Sequence, residues 1–406
     1  MSSVFTPADI LIPNDMAPRN WSVIACDQFT SERRYWERVA ERVGNEPSTL
    51  NMIIPEAFLG ETDEQAAINS IDAAMCDYIK SGFLREISDS FILVERTLAG
   101  GHVRRGIVGA IDLEEYDFTG GGAAVLASEG TVLDRLPARI RVRRAALLET
   151  PHVMAFIDDK NAAVIEPLVF LSDKLPLLYD FDLMEGGGHI TGRRLQDGNA
   201  AGVIEAMAAL QKSAQALMAI GDGNHSLAAA KMFWDEIKTG LNERERAAHP
   251  ARRALLEVNN VYDPAIDFEA IHRVILAAEP REFIYRLEAA VTAGKNYEVR
   301  WAFGAERGTI SIGAGCIGDM ISQVQEFIDE YVSETGCGID YIHGEDSAVS
   351  LAGEKGGVAL LFPSMEKSEL FATVIKKGVF PKKSFSVGHA RDKRYYLECR
   401  RIRSGA

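Results

Sequence analysis

Residues 216–237, ALMAIGDGNHSLAAAKMFWDEI, decide how the chain is read. A short apolar run, Ala216 to Ile220, stops at a Gly-Asp-Gly-Asn-His turn, and an alanine-rich segment follows at once. Placed after a polar helix, such a run reads as a buried strand, although periodicity alone leaves a helical alternative open. Gly221 and Gly223 permit backbone angles closed to other residues, which lets main-chain N–H groups converge. A helix starting near Ser226 presents amides without internal acceptors at the positive end of its dipole, so an anion placed there meets oriented donors. His225 and Ser226 add side-chain donors, and Asp222 either orients His225 or reaches a metal carried by bound phosphates. The plainer alternative makes Asp222 and Asn224 turn formers and Ser226 a cap. A cap needs one such residue, whereas Asp, Asn, His and Ser crowd into this turn together, which favours a phosphate cradle.

Composition narrows the class of partner. The chain has 406 residues, too many for one ordinary core, and a formal net charge of −15. An acidic chain lacks the basic face that counterion release from nucleic acid requires, so a small-molecule partner is expected. Cys26, Cys76, Cys316, Cys337 and Cys399 lie far apart with no CxxC, so neither a zinc site nor a disulfide framework is signalled. No basic leader precedes an apolar segment at the N-terminus, and no window approaches a membrane span, so a cytoplasmic protein is expected. Oligomeric state is left open.

The rest of the chain alternates irregularly. SERRYWERVAERV (31–43) and DEQAAINSIDAAMCDYIKSG (63–82) read as helices, the second stopped by Gly82. FILVERTL and HVRRGIVGAIDLEEY, joined by a glycine turn, read as a hairpin over 91–112. The segment 129–150 looks helical beyond Pro137, VMAFIDD looks like a buried strand, EGGGHITGRR (185–194) marks a turn between strands, and a helix spans roughly 199–212. Further on, ALLEVNNVYD reads as a strand, DFEAIHRVILAA as a helix or turn, NYEVRWAFGAERGTISIG as a hairpin and GGVALLFP as a strand. SMEKSELFATVIKKG reads as a helix and RYYLECRRI as a last strand. Without a strict strand–helix rhythm, the expected class is α+β, an irregular α/β arrangement of mixed sheets with flanking helices. The expected division is an N-terminal region 1–125, a central region 126–258 carrying the turn, and a C-terminal region 259–406.

AIGDGNHSLAAAK, HPARRALLEVNNVYDPAIDFEAIHRVI, DYIHGEDSAVSLA and FPKKSFSVGHARDKRYYLE together resemble the bacterial family catalogued as domain of unknown function 1015, nearly from end to end. No reaction comes with that resemblance. The turn is also similar to the DGHHR element of the ParB, sulfiredoxin and free serine kinase superfamily, whose strand–turn–helix cradles nucleotide phosphates. That likeness implies a ParB/sulfiredoxin-like unit over 216–238 with Asp222, Gly223, Asn224 and His225 in the first four positions. Ser226 stands where the superfamily has arginine, and a hydroxyl cannot supply a bidentate charge, so another cation is expected.

Candidates for that cation are Arg273, beside His272, and the lysines of 376–383. Lys376 and Lys377 suit a solvated helix end, whereas Lys382 and Lys383 lie in a loop after Pro381. His272 is read equally as a buried hydrogen-bonded histidine or a ligand contact. The run RIRVRR (139–144) reads as a solvated helical face, with contact to an anion as the sharper alternative. For a base beside an acceptor hydroxyl, Glu129 in SEGT and Glu345 in HGED are the carboxylates singled out. The expectation is a kinase-like protein transferring phosphate from ATP or ADP, with magnesium near Asp222, to a small hydroxyl compound. The alternatives are a non-catalytic nucleotide-responsive binding protein and a phosphoesterase with metals at Asp222 and His225. The latter resembles metallophosphoesterases only in fused pieces and lacks their Asp-x-His.

Overall fold

The apolar run forms strand Met218–Asp222, and helix Asn224–Ile237 follows it across a single residue, Gly223. The computed structural model describes residues 3–60, 63–120, 122–133, 136–276 and 279–403. Met218–Asp222 runs parallel to Val125–Ala127 on one side and antiparallel to Met154–Ile157 on the other. From there the larger sheet continues through Arg253–Asn260, Val103–Asp112, Leu84–Thr97 and His189–Leu195 to Leu177–Asp182. Beyond Val125–Ala127 it ends at Tyr116–Asp117. The expected hairpin is present as Leu84–Thr97 and Val103–Asp112, paired from Ile92–Val108 to Thr97–Val103.

A smaller sheet is ordered Glu306–Ile312, Ala293–Phe303, Val358–Leu361, Phe268–Leu276 and Gly338–His343, with Phe385–Val387 added to Phe268–Leu276. All its pairings are antiparallel. The fold is therefore α+β, with mixed sheets and flanking helices. No helix of the described residues is long and apolar enough to cross a membrane.

Three expectations change. DFEAIHRVILAA is neither helix nor turn: Phe268–Leu276 is a strand, with Ala277 and Ala278 outside the described residues. Paired on both edges and buried on both faces over Ile271–Ile275, it carries His272 and Arg273 side by side in the core, so polar and apolar residues do not alternate and its period is hidden. RYYLECRRI is mostly threaded chain; within it Arg400–Arg401 pairs with Leu148–Glu149, and Tyr395 and Cys399 make isolated bridges to Ile24 and Leu11. The boundaries expected at 125/126 and 258/259 fall inside strands Val125–Ala127 and Arg253–Asn260 of one sheet. Hydrogen bonding across that sheet joins what the sequence division separates.

The threaded tail is held by buried arginines. Arg96, from the hairpin, donates to the carbonyls of Gly187, Arg391, Asp392 and Lys393 and lies against the Tyr395 ring. Arg104 donates to Asp392 O at 2.8 Å. Arg394 reaches Glu257 at 2.8 Å and Glu398 at 2.6 Å, and Glu398 accepts the Tyr179 hydroxyl at 2.5 Å. Burial pushes Glu257 up, yet Arg104 and Arg394 hold it below the ordinary carboxylate range. Removing one member of such a set leaves charges buried and unpaired. Arg394→Leu is expected to lose about 3–5 kcal/mol in urea unfolding, because Glu257 and Glu398 stay behind in the core; an unchanged midpoint would contradict the account.

Candidate functional site

Each glycine of the turn has a separate reason to be glycine. A Cβ on Gly221 would lie 2.0 Å from the Phe156 ring, so the strand end packs flush against its neighbour only without a side chain. Gly223 holds φ at 76°, in the left-handed region, and is the N-cap of helix Asn224–Ile237. It offers no side-chain cap, and the first helical hydrogen bond runs from Leu227 N–H to Gly223 O at 3.0 Å. The helix therefore opens with its dipole aimed into a cleft of about 210 Å³.

Asp222 Oδ1 accepts the Gly223 N–H at 2.9 Å, and its Oδ2 lies 3.2 Å from Lys393 Nζ. Lys393 is nearly buried and comes from the arginine-held tail. Asn224 is spent on the turn itself: Oδ1 accepts the Ser128 N–H at 3.2 Å, and Nδ2 faces Ser128 Oγ and Ile220 O at 3.4 Å. His225 Nε2 accepts the Val132 N–H at 3.1 Å, which places the proton of the neutral ring on Nδ1. Ser226 lines the cleft wall beside it.

Glu129 enters from the segment after Val125–Ala127. Its backbone bridges to Phe380, and its Oε1 accepts the Lys383 N–H at 2.6 Å. Lys383 adopts φ 57°, uncommon for lysine, and its ammonium stands 4.9 Å from the centre of the Tyr341 ring. Burial raises the Glu129 pKa, the Lys383 amide lowers it, the Asp222 charge raises it and Lys393 pulls it back; the result is above the ordinary carboxylate range. Opposite stand Asp27 and His152. Burial alone would raise Asp27, but His152, the Gln28 amide, Lys393 and Arg139 together hold it low. His152 is 6% exposed, and among the described residues nothing hydrogen-bonds to its Nδ1.

The structure thus brings Gly221, Asp222, Gly223, Asn224, His225, Ser226, Glu129 and Lys383 to one cleft. It does not bring the others. Arg273 is fully buried in the smaller sheet, bound to Gln325 and the Ile271 carbonyl and sandwiched by Phe362 and Tyr341, so it cannot serve as the missing phosphate cation. His272 is a core histidine whose Nδ1 accepts the Phe362 N–H at 3.2 Å. Glu345 lies at the start of helix Glu345–Lys355, paired with Arg300 and outside the cleft. Lys382 is exposed and does not line it, and Lys377 pairs with Asp319 at 3.2 Å. In the arginine run, Arg139 reaches the cleft wall but pairs with Glu56, while Arg141, Arg143 and Arg144 meet Glu64, Glu149 and Glu236. Among the described residues no group of three His, Cys, Asp or Glu side chains is placed to hold a metal, and Lys393 occupies one oxygen of Asp222.

Asp27, His152, His343 and Lys393 also line the cleft, and sequence reading passed over them. The available signal was polarity in apolar company: ACDQ after the buried WSVIA run, and HARDKR before YYLEC.

The chain belongs to the family described as Protein of unknown function (DUF1015), whose model matches residues 9–396. No curated protein matches the sequence. Among solved structures, a conserved hypothetical protein from Pyrococcus furiosus is similar at 12% identity and a TM-score of 0.37, over 71% of this chain and 93% of that one. Free serine kinase in complex with AMP is similar at 12% identity and a TM-score of 0.39, over 71% and 90%. SbnI from Staphylococcus aureus with a C-terminal truncation gives 10% and 0.35, over 73% and 83%. At such scores none of them bears on the chemistry of the cleft.

Two outcomes test this geometry. Gly221→Ala is expected to destabilise by roughly 1–3 kcal/mol through overpacking against Phe156, whereas Gly202→Ala, in a helix with open space around it, should stabilise; thermal melts read both. Glu129 gives a pH signature with a definite sign. Because folding raises its pKa, the stabilising protonated form is intact in acid and is lost as pH rises through the raised value. Glu129→Gln, a lasting mimic of the acid, should melt higher than wild type at neutral pH and equally in acid; the reverse order refutes the raised pKa.

Proposed function

We propose that the cleft at 221–226 binds the phosphates of a nucleotide and that the protein transfers a phosphoryl group to a small hydroxyl compound. The observation that carries this reading is the meeting of three features in one cleft. They are a helix N-terminus opened by left-handed Gly223, a nearly buried Lys393, and Glu129 with a raised pKa. Phosphoryl transfer asks the protein mainly for positioning and electrostatics, together with a base for the incoming hydroxyl.

Each residue has a distinct task in this scheme. The turn amides and Lys393 face the phosphate oxygens, supplying the positive charge that Ser226 lacks. Asp222 holds Lys393 in place and keeps the charge of the empty cleft balanced. Glu129 takes the acceptor's proton as the new oxygen–phosphorus bond forms, and the bond to the departing phosphate breaks. A bound nucleotide supplies the phosphoryl group, and magnesium, if required, arrives with it, since the protein assembles no metal cage of its own among the described residues. The phosphoesterase with metals at Asp222 and His225 has no such ligand set among the described residues to support it.

A thermal-shift series with ADP and ATP, with and without magnesium, tests the binding step. A nucleotide at about 100 times its Kd should add about 2.7 kcal/mol of stability. Lys393→Met and Asp222→Ala should abolish the shift. Glu129→Gln should keep it while lowering acceptor-dependent nucleotide consumption by about 10²- to 10⁴-fold. Binding without any turnover would turn the reading into a nucleotide-responsive binding protein, and no shift with any nucleotide would end it.

A further inference from the structure

A second cavity of about 320 Å³ opens beside the polar cleft, and Arg139 and Ser226 line both. Its walls are apolar and come from four places. Met52 and Ile54 precede helix Glu64–Lys80, Val142 lies on helix Leu136–Ala145, Leu227 and Ala230 lie on the helix that opens the cleft, and Leu255 lies on the large sheet. At one end Cys26 adjoins Asp27 of the cleft, and at the other Leu59 stands 55% exposed.

Charge decides what this chamber can hold. Among the described residues, every charged side chain lining it is already paired. Glu56 meets Arg139, Glu64 meets Arg141, and Glu149 is shared by Arg143, Arg400 and the Leu255 N–H. The Cys26 thiol is pushed up to about 12 by burial and the neighbouring Asp27 charge, so it stays protonated. A charged group brought inside would lose its hydration and find no unpaired counter-charge among the described residues, which disfavours an amino acid or a sugar phosphate there. A neutral apolar group loses nothing and gains by leaving water. The cleft next to it has the opposite character, with Asp222, Glu129, Lys393, Asp27 and His152 around the turn.

We propose that the chamber holds the body of the phosphoryl acceptor, and that the acceptor is a neutral apolar alcohol whose hydroxyl emerges between Arg139 and Ser226 toward Glu129. This rests on the phosphotransferase reading for the identity of the ligand as acceptor, but the chamber's preference for an apolar alcohol is measured independently of it. The volume lies at the lower end of the range for small-molecule sites, which suits a body of about six to ten carbon atoms.

Calorimetry with the full chain and n-alkanols from propanol to hexanol tests the inference, first alone and then with saturating ADP. Each added methylene should tighten binding about fourfold, the gain from burying one CH₂ group. Val142→Trp and Ala67→Trp, each filling the chamber from a half-buried position on a different helix, should weaken hexanol binding at least about tenfold, since the buried chain has nowhere to go. Both should retain the ADP thermal shift, which also shows that they are folded. Hexanol and ADP should bind together, and hexanol or a longer alcohol should stimulate ADP or ATP consumption in wild type alone. No chain-length dependence overturns the proposal. Competition between hexanol and ADP also overturns it, because the chamber then belongs to the nucleoside. Failure of the nucleotide reading appears separately, as the absence of an ADP shift with no alcohol present.

Discussion

Buried arginines set the terms for everything else in this molecule. Arg96 and Arg104 reach from the hairpin to the backbone carbonyls of 391–393, and Arg394 reaches from the tail to Glu257 in the sheet. A guanidinium taken out of water must have its donors satisfied, and those of Arg96 and Arg104 are met by carbonyls nearly three hundred residues away in sequence. The tail therefore has little freedom of position. Lys393, one residue before Arg394, is carried to Asp222 by the same clamp, so the charge balance of the cleft follows from core electrostatics.

The cleft itself lies where the two sheets meet. Met154–Ile157, the strand beside the one ending at Asp222, packs against the smaller sheet through Phe156 and Phe268, whose rings lie 5.6 Å apart, and Phe268 continues the contact to Phe385 at 5.3 Å. Of these rings, Phe385 lines the cleft. Asp222, Glu129 and Asp27 share the site, and the cations around the first two are arranged unequally. Asp222 has Lys393 as an ion partner, whereas Glu129 has the Lys383 amide and a drier setting. Burial is the largest cause that lifts Glu129 above the ordinary carboxylate range.

Much of the local architecture was legible. The strand–turn–helix over 216–237, the hairpin near 91–112, the helix near 199–212 and the mixed-sheet class follow from short-range rules of period, glycine placement and turn chemistry. Glu129 and Lys383 were legible as chemical types in exposed-looking loops, and the fold sets both beside the turn. Arg273 and Glu345 misled because residue type says nothing of direction. Arg273 sits on a strand buried on both faces, and Glu345 faces Arg300 across the smaller sheet's own helix. The strand at 268–276 was missed because a doubly covered strand has no polar alternation to reveal it.

The sequence by itself determined that a glycine-flanked acidic turn joins a buried strand to a helix, since steric freedom and dipole direction are properties of neighbouring residues. It also determined an acidic balance, with a formal net charge of −15. Tertiary structure alone decided which charges face that turn. Asp27, His152 and Lys393 come from three distant parts of the chain, and their meeting depends on buried pairings whose energy appears only once distant segments have left water together.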